Sequence, residues 1–156
     1  MGYYYKYGIK ITTLCLCIKN HSLLLAEKQT GFGKGKVNAF GGKQNIGETL
    51  EKATVRELFE ETSLIGKPED LLKVAIIRFH FESELRFECH VYTLHSWQGE
   101  PQNTKEMANF DWYHRTTLPF SRMCAADKIW IPLVLQGKNI DSDVYFNFDG
   151  STPLPS

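Results

Sequence analysis

The chain has little cysteine and no paired cysteine motif. Its four cysteines, Cys15, Cys17, Cys89 and Cys124, form no Cys-x-x-Cys pair and no His/Cys pattern with zinc-ligand spacing. Cys15 and Cys17 stand in an apolar, β-branched stretch, where alternate residues share one face of a strand. We therefore expect small buried thiols in a reducing compartment, the cytoplasm, and neither disulfides nor a zinc site.

The sequence also lacks long hydrophobic runs and an excess of either charge. No run of about 18 apolar residues is present, so we expect no membrane-spanning helix. The first residues, MGYYYKYGIK, lack the apolar core of a signal peptide. Lys plus Arg and Asp plus Glu number 18 each, which gives no reason to expect binding to a nucleic acid polymer or to an anionic membrane.

What is present is typical of one globular domain. The 156 residues are 42% hydrophobic and 23% charged, which predicts a single domain over residues 1–156 with a substantial core. A glycine-rich stretch, GFGKGKVNAFGGK at 31–43, precedes a predicted helix but lacks the Gly-Lys-Ser/Thr of a phosphate-binding P-loop. We expect this stretch to be a shaped loop.

Periodicity and turn residues predict the order of elements. They predict a hairpin from 9–18 and 21–29, a short strand near 37–40, a helix capped by Thr49 and running to about Thr62, strands over 71–81, 86–97 and 106–115, a second helix over 125–137, and a last strand over 143–150. Pro132 is expected to kink or divide the second helix. This order predicts the α/β class, with a mixed sheet between helices.

The first predicted helix carries an unfavourable set of charges. Glu57, Glu60 and Glu61 fall within an arc of about 100° on a helical wheel. Like charges at these spacings cost about 0.2–0.5 kcal/mol per pair, and the C-terminal end of a helix favours cations. We assign the core-facing side of this helix to Val55, Leu58 and Phe59.

A solvated acidic face is one interpretation of this cluster, and a metal site is the other. Mg²⁺ takes oxygen ligands in a near-octahedral shell and can bridge carboxylates to phosphate oxygens. The glycine-rich loop before the helix can supply main-chain carbonyls, and a spare carboxylate can accept a proton from water. The crowding of acids at the unfavourable helix end favours a site for a divalent metal ion and phosphate.

The stretch GGKQNIGETLEKATVRELFEETSL, residues 41–64, resembles the Nudix box. That motif reads Gly, five residues, Glu, seven residues, then Arg-Glu-apolar-x-Glu-Glu-x-Gly-apolar. The matching residues are Gly42, Glu48, Arg56, Glu57, Leu58, Glu60, Glu61 and Leu64. Ser63 stands where the family has glycine, and it costs about 1 kcal/mol if that position is left-handed.

Further segments, including the loop at 31–43 and WIPLVLQGK at 130–138, resemble the MutT-homologue branch, the oxidised purine nucleoside triphosphatases (8-oxo-dGTPases). The resemblance implies an α/β/α Nudix sandwich with a mixed sheet, and we expect a monomer. It implies hydrolysis of a nucleoside triphosphate such as 8-oxo-dGTP to monophosphate and pyrophosphate, with Mg²⁺, or Mn²⁺ as a substitute. The residues it implies for metal ligation or catalysis are the Gly42 carbonyl, Glu57, Glu60, Glu61 and Glu106, with Arg56 orienting a glutamate.

The same resemblance implies a purine pocket. Its residues would be Thr13, Lys28, Phe32, Asn38, Phe79, Phe87 and Asp127, with Asn38 and Asp127 at the base edge. Two positions depart from the branch. Cys124 replaces a tryptophan that stacks on the base, and Ala126 replaces the first of two aspartates. These losses predict a base preference that is broader or shifted.

Two alternatives stay open at this point. The same chemistry can serve another small-molecule substrate, such as a dinucleoside polyphosphate, ADP-ribose or capped RNA. The fold can also serve as a nucleotide-binding module without catalysis, although a pure binder has no need of Glu57, Glu60 and Glu61.

Overall fold

A computed structural model describes residues 5–6, 8–31, 33–146 and 153–154 of the chain. Phe32, from the expected purine pocket, lies outside the described residues. So do residues 147–150 of the predicted last strand and most of the tyrosine-rich segment at 3–7.

The described residues form ten strands and two α-helices. The strands are β1 Tyr5–Lys6, β2 Ile9–Lys19, β3 Ser22–Lys28, β4 Val37–Asn38, β5 Phe40–Lys43, β6 Leu72–Phe81, β7 Glu84–Leu94, β8 Met107–His114, β9 Ile140–Phe146 and β10 Pro153–Leu154. The helices are α1 Leu50–Thr62 and α2 Asp127–Leu135, with 3₁₀ turns at Pro68–Asp70 and Phe120–Arg122. Neither α-helix has the length and apolar character that a bilayer crossing needs, as judged over the described residues.

The strands of the described chain join into one mixed sheet. Its order is β10-β9-β6-β7-β2-β3-β4, with β8 beside β3 and both β1 and β5 beside β2. Strand β2 is central because it pairs in parallel with β7 and antiparallel with β5 and β3. Two tight hairpin turns, Asn20-His21 and Glu82-Ser83, have positive φ at both residues, as type I′ turns require.

One helix covers each face of the sheet. The core under α1 contains Cys15, Cys17, Phe40, Leu58, Leu64, Leu94 and Met107. The core under α2 contains Leu16, Cys89, Val91, Trp130, Ile131, Val144 and Phe146. Alternate residues of β2 and β7 divide between the two cores, as the period of a strand dictates. The predicted α/β/α sandwich is confirmed.

Helix α2 and strand β9 differ from the predicted bounds. Helix α2 spans nine residues and is continuous through Pro132, which neither divides it nor ends it. Proline removes only one hydrogen bond in so short a helix, and the burial of Trp130, Ile131 and Val134 holds it in place. Strand β9 begins three residues early, at Ile140, because it pairs in parallel with β6 from Ala75 onward.

The core-facing side of α1 also differs from the prediction. Leu58 is fully buried, but Phe59 is 53% exposed and Glu61 is only 3% exposed. The assignment of Phe59 to the core was therefore wrong. The helix packs on β5, where Gly41 and Gly42 present no side chains, so an acidic side of the helix can lie directly against the strand.

Both ends of α1 have the expected caps. The Thr49 hydroxyl accepts a hydrogen bond from the Lys52 N–H at 3.1 Å, which confirms the predicted N-cap. At the other end Ser63 is left-handed, with φ of 69°, and its N–H bonds the Phe59 carbonyl. The caps fix where α1 begins and ends, and so fix the height of its glutamates above β5.

Candidate active site

The backbone of β5 approaches two glutamates of α1 very closely. The Gly41 N–H donates to Oε1 of Glu61 at 2.8 Å. A Cβ atom built on Gly42 would lie 2.5 Å from Cδ of Glu57, and one built on Gly41 would lie 1.9 Å from the Thr13 carbonyl oxygen. Position 41 therefore requires glycine, and a side chain at position 42 would displace the Glu57 carboxylate, so the glycine pair lets the carboxylates meet the strand.

Three carboxylates converge beside this glycine pair. Glu57 and Glu61 lie one turn apart on α1, and Glu106 comes from the segment just before β8. One carboxylate oxygen from each lies within 4.8 Å of the other two. Burial increases from Glu106, which is exposed, through Glu57 to Glu61, which is buried. The group therefore has an open side toward solvent and a closed side toward the sheet.

Thr104 holds the segment that carries Glu106. Its hydroxyl donates to the Glu61 carbonyl at 3.0 Å and accepts from the N–H groups of Glu106 at 3.3 Å and Met107 at 3.1 Å. The Glu106 carbonyl accepts from the Gln29 N–H at 2.8 Å. This contact of Thr104 with the end of α1 had no signal in the sequence.

The cluster of three carboxylates is electrostatically unfavourable, because its members repel one another. Burial, together with a hydrogen bond to Glu106 and the charges of its acidic neighbours, raises the pKa of Glu61 to about 9. Burial also raises the pKa of Glu57, although Arg56 opposes this shift. Three crowded oxygen donors with an open side match what a hard divalent cation takes as ligands. The residues present therefore fit a divalent metal ion.

Arg56 is the hub of the ion pairs beside this group. Its Nε donates to Oε2 of Glu48 at 2.7 Å and its Nη2 to Oε1 at 3.0 Å, a two-pronged contact. Its Nη2 also donates to the Lys43 carbonyl at 2.9 Å, and its Nη1 to Oε1 of Glu57 at 3.0 Å. These contacts raise the pKa of Arg56, with the bond to Glu48 contributing most. Arg56 thus orients Glu57, with Glu48 as its anchor.

Glu60 lies apart from the three converging carboxylates. Its side chain is half exposed and sits 3.3 Å from Nη1 of Arg56, in an i,i+4 ion pair. Of the four acids that the sequence selected, the structure brings together Glu57, Glu61 and Glu106.

Lys28 and Asn38 meet beside the glycine-rich loop. A Cβ atom on Gly33 would lie 3.8 Å from Nδ2 of Asn38 and 3.9 Å from Cδ of Lys28. Gly33 itself has a φ of +84°, a conformation that L side chains rarely adopt. Strands β3 and β4 place the two side chains there through the pairing of Ala26 with Asn38.

An aromatic group stands at the tip of the β6–β7 hairpin, on the α2 face. The ring centroids of Phe79 and Phe87 are 5.3 Å apart, and those of Phe81 and Phe87 are 5.7 Å apart. Phe146, which is buried, stacks on Phe79 at 5.9 Å. The expected site residues omitted Phe146, and the alternating aromatics of YFNF were the signal that could have found it.

Asp127 is the second deeply buried carboxylate. It is the first residue of α2, and burial raises its pKa to about 7, while the Trp130 indole, a backbone hydrogen bond from Cys124 and the charge of Lys36 oppose the shift. Cys124 is partly buried and packs against the α2-side core. Asp127, Cys124 and Lys36 therefore lie close enough to interact electrostatically at the border of the α2-side core.

Neighbouring threonines of β2 face opposite sides of the sheet. Thr13 pairs with Gly42 and therefore shares the face of α1 and Glu57. Thr12 pairs with Cys89, which is buried in the α2-side core. The charge of Asp127 contributes to the raised pKa of Cys89, so Asp127 lies near it. The structure thus places Thr12, and not the expected Thr13, on the face of Asp127. Strand alternation requires the two threonines to face opposite sides of the sheet, but only their pairing partners decide which side each one takes.

Comparison with known proteins agrees with this geometry. The NUDIX domain profile matches residues 9–134. The chain is 41% identical to the oxidized purine nucleoside triphosphate hydrolase of Danio rerio over 143 residues, which are 90% of this chain and 88% of that protein. It is 36% identical to the hydrolase of the same name from Mus musculus over 130 residues, 83% of this chain and 81% of that protein.

Solved structures show the same fold. A MutT protein of Bacillus halodurans superposes with a TM-score of 0.76 at 22% identity, over 94% of this chain and 95% of that one. The matched profile covers α1, its glycine pair and the carboxylate group that they bring together. The chain therefore belongs to the NUDIX domain family.

Proposed function

We propose that this Nudix hydrolase is a nucleoside triphosphate pyrophosphohydrolase that acts on oxidised purine nucleoside triphosphates such as 8-oxo-dGTP. It releases the monophosphate and pyrophosphate. The observation that carries the proposal is the group of Glu57, Glu61 and Glu106 within 4.8 Å of one another beside a glycine pair. The names of the relatives from Danio rerio and Mus musculus support the substrate class.

The residues proposed to hold the metal are Glu57, Glu61, Glu106 and the Gly42 carbonyl. Mg²⁺ is the proposed ion, with Mn²⁺ as a substitute; when bound, it neutralises phosphate charge and makes a bound water more acidic. Arg56 keeps the Glu57 carboxylate in place through its bond at 3.0 Å. Glu60, half exposed and outside the group but paired with Arg56, is the proposed acceptor of a proton from water.

The proposed base site combines an aromatic wall on the α2 face with polar groups from β4 and α2. Phe79 and Phe87 form an aromatic wall, and Asn38 and Asp127 offer the polar groups that read a base edge. The family resemblance also implies Lys28 and Phe32 as pocket residues, and Thr13, which the strand pairing places on the α1 face. With Cys124 and Ala126 in place of a stacking ring and a carboxylate, we expect less discrimination between purines than two base-edge carboxylates give, by about 1–3 kcal/mol per lost contact.

The proposal also covers the setting of the reaction. The partner is a small-molecule nucleotide, the protein acts as a single-domain monomer over residues 1–156, and its place is the cytoplasm. The free cysteines at 15, 17, 89 and 124 support a reducing compartment.

A pyrophosphate-release assay with Mg²⁺ tests the proposal. The panel contains 8-oxo-dGTP, 2-hydroxy-dATP, dGTP and dATP, with a dinucleoside polyphosphate, ADP-ribose and capped RNA as competitors. We expect the highest kcat/KM for an oxidised purine triphosphate, and a changed ranking in Asp127→Ala. Turnover of a dinucleoside polyphosphate or ADP-ribose alone would overturn the substrate class, and no turnover with intact nucleotide binding would identify a binding module.

A further inference from the structure

Thr104 lies between the helix end that carries Glu61 and the turn that carries Glu106. Its hydroxyl donates to the Glu61 main-chain carbonyl at 3.0 Å and accepts from the main-chain N–H groups of Glu106 at 3.3 Å and Met107 at 3.1 Å. A hydroxyl has one proton to donate and two lone pairs that accept. All three are in use here, so one side-chain oxygen joins the backbones of two of the converging carboxylates.

The segment around Glu106 is a short turn that Thr104 closes. The Thr104 N–H donates to the Met107 carbonyl at 2.8 Å, and the Thr104 hydroxyl accepts from the Met107 N–H in return. Threonine often bonds the main chain ahead of it in this way. Lys105 and Glu106 lie at the tip, and Glu106 is exposed. Because packing holds an exposed side chain only weakly, the position of the Glu106 carboxylate depends on how this turn is anchored.

The end of α1 supplies the other half of the link. The last four carbonyls of a helix have no partner within it. In α1 the Thr62 carbonyl accepts from the Gln102 N–H at 2.9 Å, and the carbonyl before it is the one that Thr104 binds. The Gln102 bond, like the bond from the Gln29 N–H to the Glu106 carbonyl at 2.8 Å, joins main-chain atoms. A substitution of Thr104 can therefore remove the hydroxyl link and leave those two bonds in place.

We propose that Thr104 is a positioning residue for the metal ion, because it fixes how far the Glu106 carboxylate lies from the two glutamates of α1. One oxygen of each of the three carboxylates lies within 4.8 Å of the other two. Mg²⁺ requires a near-octahedral shell at about 2.1 Å, so a carboxylate that moves outward is lost as a ligand. Groups that orient the ligands of a metal ion contribute to its affinity without touching it. The inference rests on the proposed function, because it takes the three carboxylates as the metal site.

Binding of Mn²⁺ to the nucleotide-free chain tests the inference without turnover. Mn²⁺ is titrated into the native chain, Thr104→Val and Thr104→Ser, and the free ion is measured by electron paramagnetic resonance. Valine keeps the shape of threonine without the hydroxyl, so we expect the affinity of Thr104→Val to fall about tenfold. Serine keeps the hydroxyl, so Thr104→Ser should stay within about threefold of the native chain. Equal affinities in the native chain and Thr104→Val, or an equal loss in both variants, would overturn the inference.

Three further variants identify the site and separate the link from a general loosening of the segment. Glu61→Gln removes one ligand charge, and if it leaves Mn²⁺ binding intact, the site and the inference both fail. Thr117→Val makes the same chemical change at an exposed threonine after β8 and should leave the affinity unchanged. Asn103→Ala removes another hydrogen bond of the segment, from the Asn109 N–H to Oδ1 of Asn103 at 3.2 Å. A loss of affinity in Asn103→Ala as large as that in Thr104→Val would contradict a specific role for Thr104.

The dependence of turnover on Mg²⁺ distinguishes positioning from support of the fold. With the preferred nucleoside triphosphate, Thr104→Val should need about tenfold more Mg²⁺ for half-maximal turnover, and KM for the nucleotide at saturating Mg²⁺ should change less than about threefold. Thr104→Ala, which removes the same hydroxyl, should reproduce this result. A lower Tm with an unchanged Mg²⁺ dependence would leave Thr104 only a structural role and overturn the inference. If no triphosphate is hydrolysed but Thr104→Val still weakens Mn²⁺ binding, the proposed function fails and the positioning role remains.

Discussion

Glu61 and Asp127 are both buried carboxylates, at 3% and 9% exposure, yet their surroundings are opposite. Glu61 lies among acids, and its pKa rises to about 9 through burial and a carboxyl neighbour. Asp127 lies near an indole, a backbone donor and an ammonium, and these groups oppose burial so that its pKa reaches only about 7.

The difference shows how neighbours decide what a buried acid can do. Glu61 is held in a place that only a cation or a proton makes favourable, which suits a metal ligand. With a pKa of about 7, the carboxyl of Asp127 is divided between its protonated and ionised forms at neutral pH. It can therefore present either a hydrogen-bond donor or an acceptor to a base edge. The surroundings of Glu61 favour a bound cation, whereas Asp127 can match either a hydrogen-bond donor or an acceptor on a ligand.

The largest effect should come from neutralising Glu61. Glu61→Gln keeps the shape of the side chain but removes one charge from the proposed ligand set, so we expect kcat to fall by about 10²–10⁴, which is several kcal/mol of transition-state stabilisation. Turnover with saturating Mg²⁺ is the measurement. Glu69→Gln, an exposed change in the 3₁₀ turn at Pro68–Asp70, is the control, and near-native turnover by a folded Glu61→Gln would remove Glu61 from the site.

The pH dependence of stability should expose the same acid. The folded pKa of Glu61, about 9, lies above its ordinary value of 4.5, so between these values the folded chain keeps a proton that the unfolded chain has released. The free energy of unfolding should therefore fall as pH rises from about 5 to 9 without metal. Thermal melts with a chelator measure this slope, which added Mg²⁺ should reduce. Glu61→Gln should lack the part between pH 7 and 9, because Asp127 also contributes below pH 7. An equal slope in Glu61→Gln would assign the titration to another group.

Asp127 should control base preference by a smaller amount. Asp127→Asn fixes one hydrogen-bond pattern where the native side chain has two, so we expect the kcat/KM ratio of 8-oxo-dGTP to 2-hydroxy-dATP to change about tenfold. Because the native carboxyl titrates near pH 7, that ratio should also vary between pH 6 and 8 in the native protein only. Identical pH profiles in both proteins would contradict the role of Asp127.

The smallest effect is expected at the end of α1. Ser63 is left-handed, with φ of 69°, and glycine at such a position avoids a steric cost of about 1 kcal/mol. Ser63→Gly should raise the Tm by about 2–4 °C for a chain of this size and leave turnover unchanged. Calorimetry and the pyrophosphate assay test this together, and a fall in turnover would mean that the cap positions Glu61 more strictly than its contacts suggest.

Local sequence determined the elements and the identity of the acidic helix. Thr49 and the apolar spacing predict α1 to within a residue, because capping and periodicity depend only on near neighbours. The spacing of Glu57 and Glu61, one helical turn apart, follows from the helix itself. The glycine pair at 41–42 is visible in the sequence, although its reason, the close approach of the Glu57 carboxylate, is not.

Only the tertiary structure decided which side of each element faces the site. The wheel of α1 assigned Phe59 to the core, whereas docking on the glycines of β5 buries Glu61 instead. Strand pairing sends Thr12 and not Thr13 to the face of Asp127. Glu106 reaches Glu57 and Glu61 through the bonds of Thr104. Such contacts join residues far apart in the chain, and their geometry depends on how helices and strands pack, which no local pattern encodes.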